Sequence, residues 1–400
     1  MPAIDASRLL HDLHTLRTIG LYKTGVHRPA LSAEDIESRH WLKARMTEAG
    51  LDTRIDGIAN VIGLDPKPGL KILMGSHMET QPHSGWLDGA MGVIFALEAA
   101  RVLGDGIDVA GWFDEEGWFG SFPGSRSYAG LLPDAEIATL SRRDTGQSLT
   151  DALAAAGLSG QPRLQADPAR YIGYLEAHIE QGAELELSGD KIGVVTAIVG
   201  SHRFRIRFKG AQNHAGTTRM ARRKDAGVAL VRLAAAINDR FPPLGNERTV
   251  WTTGQITLEP GSPSIVPGGA EMVFQFRATE PEILARLDEE LEAIVREANA
   301  GPCEVTLIRT GTTRPSAMDP SFQAALLTAA NAHVPGKVQS LPSGAGHDAQ
   351  ILANVMPSGM LFVPSIGGIS HHFTENTADE DLVLGCQVFV DAAAALLGKA

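Results

Sequence analysis

His77, Asp88, Glu115, Glu116, His178 and His371 are of the types that bind divalent cations and move protons, and each stands where an apolar, strand-like run gives way to a turn. Two-metal hydrolysis needs such parts: a carboxylate that can bridge cations about 3.5–4 Å apart, further imidazole or carboxylate ligands on each, and a base for water. Asp88 is the candidate bridge, because the glycine after it lets the backbone turn sharply into the next segment. Glu115 and Glu116 are adjacent at a strand end, where neighbouring side chains point in different directions, so one can bind metal while the other acts as base. Taken singly, each residue also reads as a hydrogen-bonded structural histidine or a solvated loop acid. Their joint occurrence at successive strand ends argues for a site.

The elements that must position them are legible from apolar pattern. KILMGSH (Lys71–His77) and VAGWFDEE (109–116) are short apolar runs finishing on polar tips, and in open α/β sheets the carboxyl ends of strands are where ligands bind. Further strands are expected at 60–64 and 174–179, with a mostly buried helix over 90–103 between two of them, an order that suggests a layered sheet with parallel strands. A first helix places Leu9, Leu10, Leu13 and Leu16 on one face, and a second opens at Ser32 with Asp35 at capping-box spacing. Between about 191 and 309 the texture changes to strands at 192–208 broken at Gly200, a helix at 226–241, two strands, a charged helix at 281–298 and a last strand at 303–309. That order resembles a split β-α-β unit. The fold class expected is therefore α/β with two domains: a discontinuous, layered mixed-sheet catalytic domain (1–190 and 310–400) and an inserted ferredoxin-like α+β domain (191–309).

A chain of 400 residues with a formal net charge of -12 lacks the clustered cations that non-specific nucleic-acid binding needs. No stretch reaches the ~18 uninterrupted apolar residues of a membrane span. The two cysteines, Cys303 and Cys386, are far apart and read as buried free thiols of a reducing compartment. The amphipathic start, MPAIDASRLLHDLHTL, lacks the basic opening and apolar run of a signal peptide, so a cytoplasmic enzyme is expected.

The segments GSHMET (75–80), DG (88–89), EEG (115–117), GSR (124–126), HIEQG (178–182), HAGTT (214–218), SGAGHD (343–348) and GISH (368–371) resemble the M20 metallopeptidase superfamily. Within it they are similar to the amidase branch of N-carbamoyl-L-amino acid hydrolases, allantoate amidohydrolases and β-ureidopropionases. The likeness runs in order from about residue 70 to the C-terminus, and HIEQG, HAGTT and GAGHDA are the motifs that separate this branch from the peptidases. It implies a catalytic domain holding two divalent ions, zinc first among zinc, manganese, cobalt and nickel, and a lid domain that also forms a homodimer. His77, Asp88 and His178 would hold one ion and Asp88, Glu116 and His371 the other. Glu115 would be general base for a metal-bridging hydroxide that attacks the amide carbon, and Glu79 would fix the tautomer of His77 from behind. His214 resembles the histidine that reaches across the dimer to polarise the substrate carbonyl. Gln181, Ser264, Arg277, Gly344 and Ala345 fall at substrate-binding positions, with Arg277 suited to clamp a carboxylate.

The implied activity is hydrolysis of a linear, non-peptide C–N bond in an N-carbamoyl (ureido) amino acid. An N-acyl amino acid hydrolase or dipeptidase-like enzyme is the second reading, and an inactive metal-binding dimer scaffold a remote third. Several positions depart from the branch. Glu79 stands where aspartate is commoner, Trp86 and Trp118 where arginine is frequent, Arg219 where proline follows HAGTT, and Ser264 in place of a substrate-contacting asparagine. These changes are expected to put apolar bulk near the pocket mouth and to favour a leaving half bulkier or less polar than that of allantoate.

Overall fold

The computed structural model describes residues 2–398, which divide into two compact units: the chain up to Thr196 with that from Ala317 onward, and Ala197–Ser316. The first unit is built on a nine-stranded mixed sheet. Its central order is Ile192–Ile198, Ser358–Val363, Tyr171–Ile179, Lys71–His77, Ile107–Trp112, Val61–Leu64 and Asp52–Ile55. The strands starting at Ser358, Tyr171, Lys71 and Ile107 run parallel to their neighbours in this set, whereas those starting at Val61 and Ile192 are antiparallel to theirs. Parallel alignment puts the carboxyl ends of four strands on one edge. His77, the Glu115–Glu116 pair, His178 and the His371 loop all follow from that edge.

The parallel strands are buried along their length, and so is most of the helix Ala90–Leu103 that follows the first of them. Covered faces explain why these segments read as unbroken apolar runs. The N-terminal helix Ala6–Thr18 is capped by the Asp5 carboxylate and buries Leu9, Leu13 and Leu16. Leu10 is only partly buried, and Asp12 instead turns inward to meet Arg101 at 2.6 Å. At Ser32 the expected cap forms, its hydroxyl accepting from Asp35 N at 3.2 Å. The reciprocal half does not form, because the Asp35 carboxylate accepts from Leu31 N and pairs with Arg39.

The turn at 56–60 braces the approach to the site. Asp56 accepts the N–H groups of Ile58 (3.1 Å), Asn60 (2.9 Å) and Leu164 (3.1 Å), while Asn60 accepts from Phe113 N and donates to Gly124 O, each at 3.0 Å. Burial pushes the Asp56 carboxyl up to about 6 against the pull of those hydrogen bonds. An unfolded aspartate ionises near ~4. Between those values only the folded state keeps the proton, so stability falls as pH rises through that window. Asp56→Asn should remove about 3 kcal/mol of this pH-dependent loss. Urea midpoints across the window should then fall less steeply for the variant, and equal slopes would refute the assignment.

The second unit holds a four-stranded antiparallel sheet in the order Val250–Glu259, Gly269–Ala278, Gly200–Lys209, Glu304–Thr313, with helices Ala226–Arg240 and Pro281–Asn299. Along the chain this is βαββαβ with the first strand between the third and fourth, the order of a split β-α-β unit. Phe204, Ile206 and Phe208 alternate inward with Arg203, Arg205 and Arg207 and join Phe274, Phe276 and the helices in a core of its own.

The unit boundaries differ from the sequence expectation of 191 and 309. Ile192–Ile198 belongs to the large sheet, where Val194 pairs with Leu361, and the last strand of the inserted unit continues to Thr313 past an irregularity between Arg309 and Gly311. An apolar strand looks alike in either sheet, so the break at Gly200 rather than the texture change near 190 marks the crossing. Both cysteines are buried and free, and no described helix is long and apolar enough to cross a membrane.

Candidate metal centre

Asp88 lies just before the helix Ala90–Leu103, with Gly89 at φ 66° between them. A side chain at Gly89 would meet the His77 ring at 2.4 Å, so both the backbone conformation and the close approach require glycine. Asp88 Oδ1 faces His178 Nε2 at 3.1 Å and His77 Nε2 at 3.5 Å, and Oδ2 faces His371 Nε2 at 3.3 Å. Glu116 Oε1 lies 3.8 Å from that His371 nitrogen. Two groups of potential ligands result, His77–Asp88–His178 and Asp88–Glu116–His371, each with its donor atoms within 4.8 Å of one another and with Asp88 common to both.

The donor chemistry fits divalent cations. His77 Nδ1 lies 3.1 Å from Glu79 O and His178 Nδ1 lies 2.9 Å from Ile179 O. Carbonyls only accept, so Nδ1 carries the proton in each ring and the Nε2 lone pair points at Asp88. Gly89 N–H, 3.1 Å from His178 Nε2, agrees with that tautomer. A lone pair facing a carboxylate oxygen repels it unless a cation, a proton or a metal ion, lies between. Burial works against the Asp88 charge, yet the facing imidazoles of His178, His371 and His77 hold its carboxyl well below the usual range, the direction in which a cation in that place also acts. Burial also disfavours charge on His77, but Glu115, Asp88 and Glu79 raise it well above the ordinary imidazole value. The hydrogen bond to Asp88 pushes His371, 51% exposed, up to about 9.

Glu115 belongs to neither group. Its Oε2 lies 3.7 Å from His77 Nε2 and its side chain keeps 11% exposure, so it borders the candidate ligand groups and is still reachable. Burial, opposed by His77 and reinforced by Glu116 and other carboxylates, pushes it well above the usual carboxylate range. A raised carboxyl beside a cation site suits a group that takes and returns a proton near neutrality. Glu116 is turned away from it by Gln81, whose side-chain amide donates to Oε2 at 2.7 Å and whose backbone N–H reaches Oε1 at 3.2 Å.

Other expected residues fall as follows. Gln181, at φ 59°, extends its amide to within 3.1 Å of Asp88 Oδ2. The loop of Gly344 and Ala345 adjoins the site: Ser343 Oγ accepts from Ala345 N and meets His347 Nε2, whose ring packs edge-on against His178 with centroids 4.6 Å apart. His214, Ser264 and Arg277 lie in the second unit. His214 pairs opposite Ile265 and Ala215 N donates to Ser264 O, which makes His214 and Ser264 neighbours. Arg277 stands at the far end of the strand Gly269–Ala278, ~26 Å along at a strand's usual rise. One copy of the unit therefore does not gather these three together.

Two expectations are corrected. The Glu79 carboxylate is 3.7 Å from His77 Nδ1, and the tautomer is set instead by the Glu79 backbone carbonyl at 3.1 Å. Trp86 and Trp118, each 3% exposed, add no bulk at a pocket mouth. Trp86 stacks on His14 and donates to Asn376, and Trp118 donates to Thr80 O beneath the guanidinium of Arg143.

Sequence reasoning missed Glu375. Its buried carboxylate accepts the N–H groups of Leu87 (3.3 Å) and Asp88 (3.1 Å) and the Ser370 hydroxyl (3.0 Å), and so sets the backbone that carries Asp88. A side chain at Gly85 would overlap that carboxylate. Four residues past His371 in a loop, Glu375 has the look of a solvated acid in the sequence.

Residues 73–395 match the family described as Peptidase family M20/M25/M40, and the chain belongs to that family. Within it, the chain is an amidase of the hydantoinase/carbamoylase kind, a hydrolase of linear C–N bonds other than peptide bonds. It is 34% identical to an N-carbamoyl-L-amino-acid amidohydrolase of Paenarthrobacter aurescens, over 98% of both chains. It is 33% identical to the allantoate amidohydrolase of Escherichia coli, over 90% of both. Among solved structures, a hydantoinase/carbamoylase family amidase from Burkholderia phymatum superposes with a TM-score of 0.90 at 49% identity, covering 100% of this chain and 99% of that one.

Proposed function

We propose that this metal-dependent amidohydrolase cleaves the carbamoyl C–N bond of an N-carbamoyl (ureido) amino acid, using two divalent ions per chain. The observation that carries the reading is the single Asp88 carboxylate facing three imidazole Nε2 atoms, with Glu116 beside one and Glu115 beside another. Divalent ions held there supply Lewis acidity toward water and toward the substrate carbonyl. His77, Asp88 and His178 hold one ion, and Asp88, Glu116 and His371 the other. Zinc suits this donor set, as do manganese, cobalt and nickel. Glu115 takes a proton from the attacking water and returns it to the leaving nitrogen.

The inserted unit acts as lid and as the surface of a homodimer. In support, its edge strand Val250–Glu259 is largely exposed and presents Val250, Ile256 and Leu258, while the neighbouring helix presents Val228 and Val231. His214 is exposed, and its Nδ1 accepts from Gly216 N and Thr217 N at 3.0 and 3.1 Å. Its proton therefore sits on an outward Nε2, as a donor to a substrate carbonyl requires. Arg277 clamps the substrate carboxylate, with Gln181, Ser264, Gly344 and Ala345 completing the contacts, and the buried free thiols suit a cytoplasmic setting.

A panel of N-carbamoyl amino acids, allantoate, N-acyl amino acids and dipeptides, run on the metal-reconstituted enzyme and assayed for ammonia and free amino acid, tests the reading. Ammonia with the free amino acid from N-carbamoyl substrates is expected, and this turnover should vanish after chelation and return with zinc, manganese or cobalt. Turnover of N-acyl amino acids or dipeptides alone would overturn it.

A further inference from the structure

Behind the metal centre, on the side of the helix Ala33–Glu48, Glu79 touches three of the six site groups at once. Its Oε1 accepts from Glu115 N at 2.7 Å and lies 3.5 Å from Glu116 N, and its backbone carbonyl holds His77 Nδ1 at 3.1 Å. The other oxygen, Oε2, accepts from Arg39 Nη2 at 3.0 Å. Both side chains are wholly buried. We propose that Arg39 is a positioning residue for the reaction: acting through Glu79, it fixes the backbone of Glu115 and the orientation of the His77 ring.

The guanidinium is held from several directions and so cannot drift. Nε pairs with Asp35 Oδ2 at 2.9 Å, and Nη1 donates to Ala59 O at 2.8 Å and Trp112 O at 3.3 Å. Trp112 closes the strand that leads to Glu115, and Glu79 follows the strand that ends at His77. Arg39 therefore ties together the ends of two neighbouring parallel strands whose tips carry the base and a ligand. Its planar fork is what the task requires, because three nitrogens reach four different partners and lysine has only one nitrogen to share among them. Without Nη2, Glu79 Oε2 is left as a buried, unpaired acceptor. The carboxylate then turns to find a donor and takes Oε1 off the Glu115 N–H. Asp35 is the internal control: it shares the same guanidinium but touches neither Glu115 nor His77 in any hydrogen bond described above.

The inference rests on the reading of Glu115 as base, and its test separates the two. Full-length Arg39→Lys, Glu79→Gln, their double variant and Asp35→Asn are loaded with Co2+, their metal content and visible absorption are recorded, and kcat and KM are measured on the best N-carbamoyl amino acid of the panel. Arg39→Lys and Glu79→Gln should each lose about 10- to 100-fold in kcat with little change in KM, and should shift the cobalt absorption band. The double variant should lose no more than the worse single one, because both break one chain of contacts. Asp35→Asn should keep kcat within about threefold of the wild type even where its melting temperature falls. Multiplying losses in the double variant, an unchanged cobalt band, or an Asp35→Asn loss equal to that of Glu79→Gln would each overturn the proposal and leave Arg39 as part of the fold alone. Should Arg39→Lys not fold, the contrast between Glu79→Gln and Asp35→Asn decides. If the wild type turns over no N-carbamoyl substrate, the proposed function fails, and the cobalt spectra still decide for or against Arg39.

Discussion

Replacing Glu115 by glutamine should abolish most turnover while leaving the metal in place. Glu115 is in neither ligand group, and its backbone N–H, which anchors it to Glu79 Oε1 at 2.7 Å, survives the substitution. Glutamine keeps the size and reach of the side chain but cannot accept a proton. General acid–base catalysis is worth about 10²–10⁴-fold, so kcat should fall within that range with KM little altered. Metal analysis on the same sample supplies the control, since an intact ion count ties the loss to proton transfer. A variant within tenfold of wild-type turnover would remove Glu115 from the mechanism. Loss of metal would instead make it a ligand.

The second large effect is expected at Asp88. It is the one residue common to both groups, with Oδ1 toward His77 and His178 and Oδ2 toward His371. Asparagine has the same shape, but one of its oxygens becomes an NH₂ that cannot bind a cation, and the negative charge facing three imidazoles is gone. Both ions should therefore be lost or held weakly, whereas His371→Asn or His178→Asn should disturb one group each. If the ions contribute several kcal/mol of transition-state stabilisation, activity should fall by about 10³-fold or more, taking about 1.4 kcal/mol per tenfold. Titration of the metal-stripped proteins checks this. An Asp88→Asn protein that still binds one ion with wild-type affinity would show that the groups do not share a ligand.

How much of this was legible before folding depends on the range of the signal. Buried parallel strands advertise themselves locally as apolar runs, and a polar tip on such a run is conspicuous, so His77, Glu115, Glu116 and His178 stand out. His371 stood out less, in a glycine-bounded loop. The division of labour between Glu115 and Glu116 was open to chain pattern only as a possibility. Gln81, 35 residues earlier in the chain, turns one carboxylate toward His371, while the other lies near His77. Arg39 and Glu375 were invisible for a related reason: a charged residue on a helix or in a loop looks solvated until strands from elsewhere in the chain cover it. Trp86 and Trp118 failed in the opposite sense, since aromatic bulk near ligand motifs suggests a pocket wall, yet both point inward.

By itself the sequence determined the order of elements, the strand-end chemistry, the family likeness and the presence of an inserted unit, because each is written in short-range periodicity or in contiguous motifs. Tertiary structure decided which oxygen of Asp88 faces which imidazole, that a backbone carbonyl rather than the Glu79 carboxylate sets the His77 tautomer, and that Ile192–Ile198 joins the large sheet. Those outcomes depend on strand pairings between segments distant in the chain. Pattern along a chain reports which face of an element is apolar, whereas a contact of 3 Å is fixed only when two elements have taken their register.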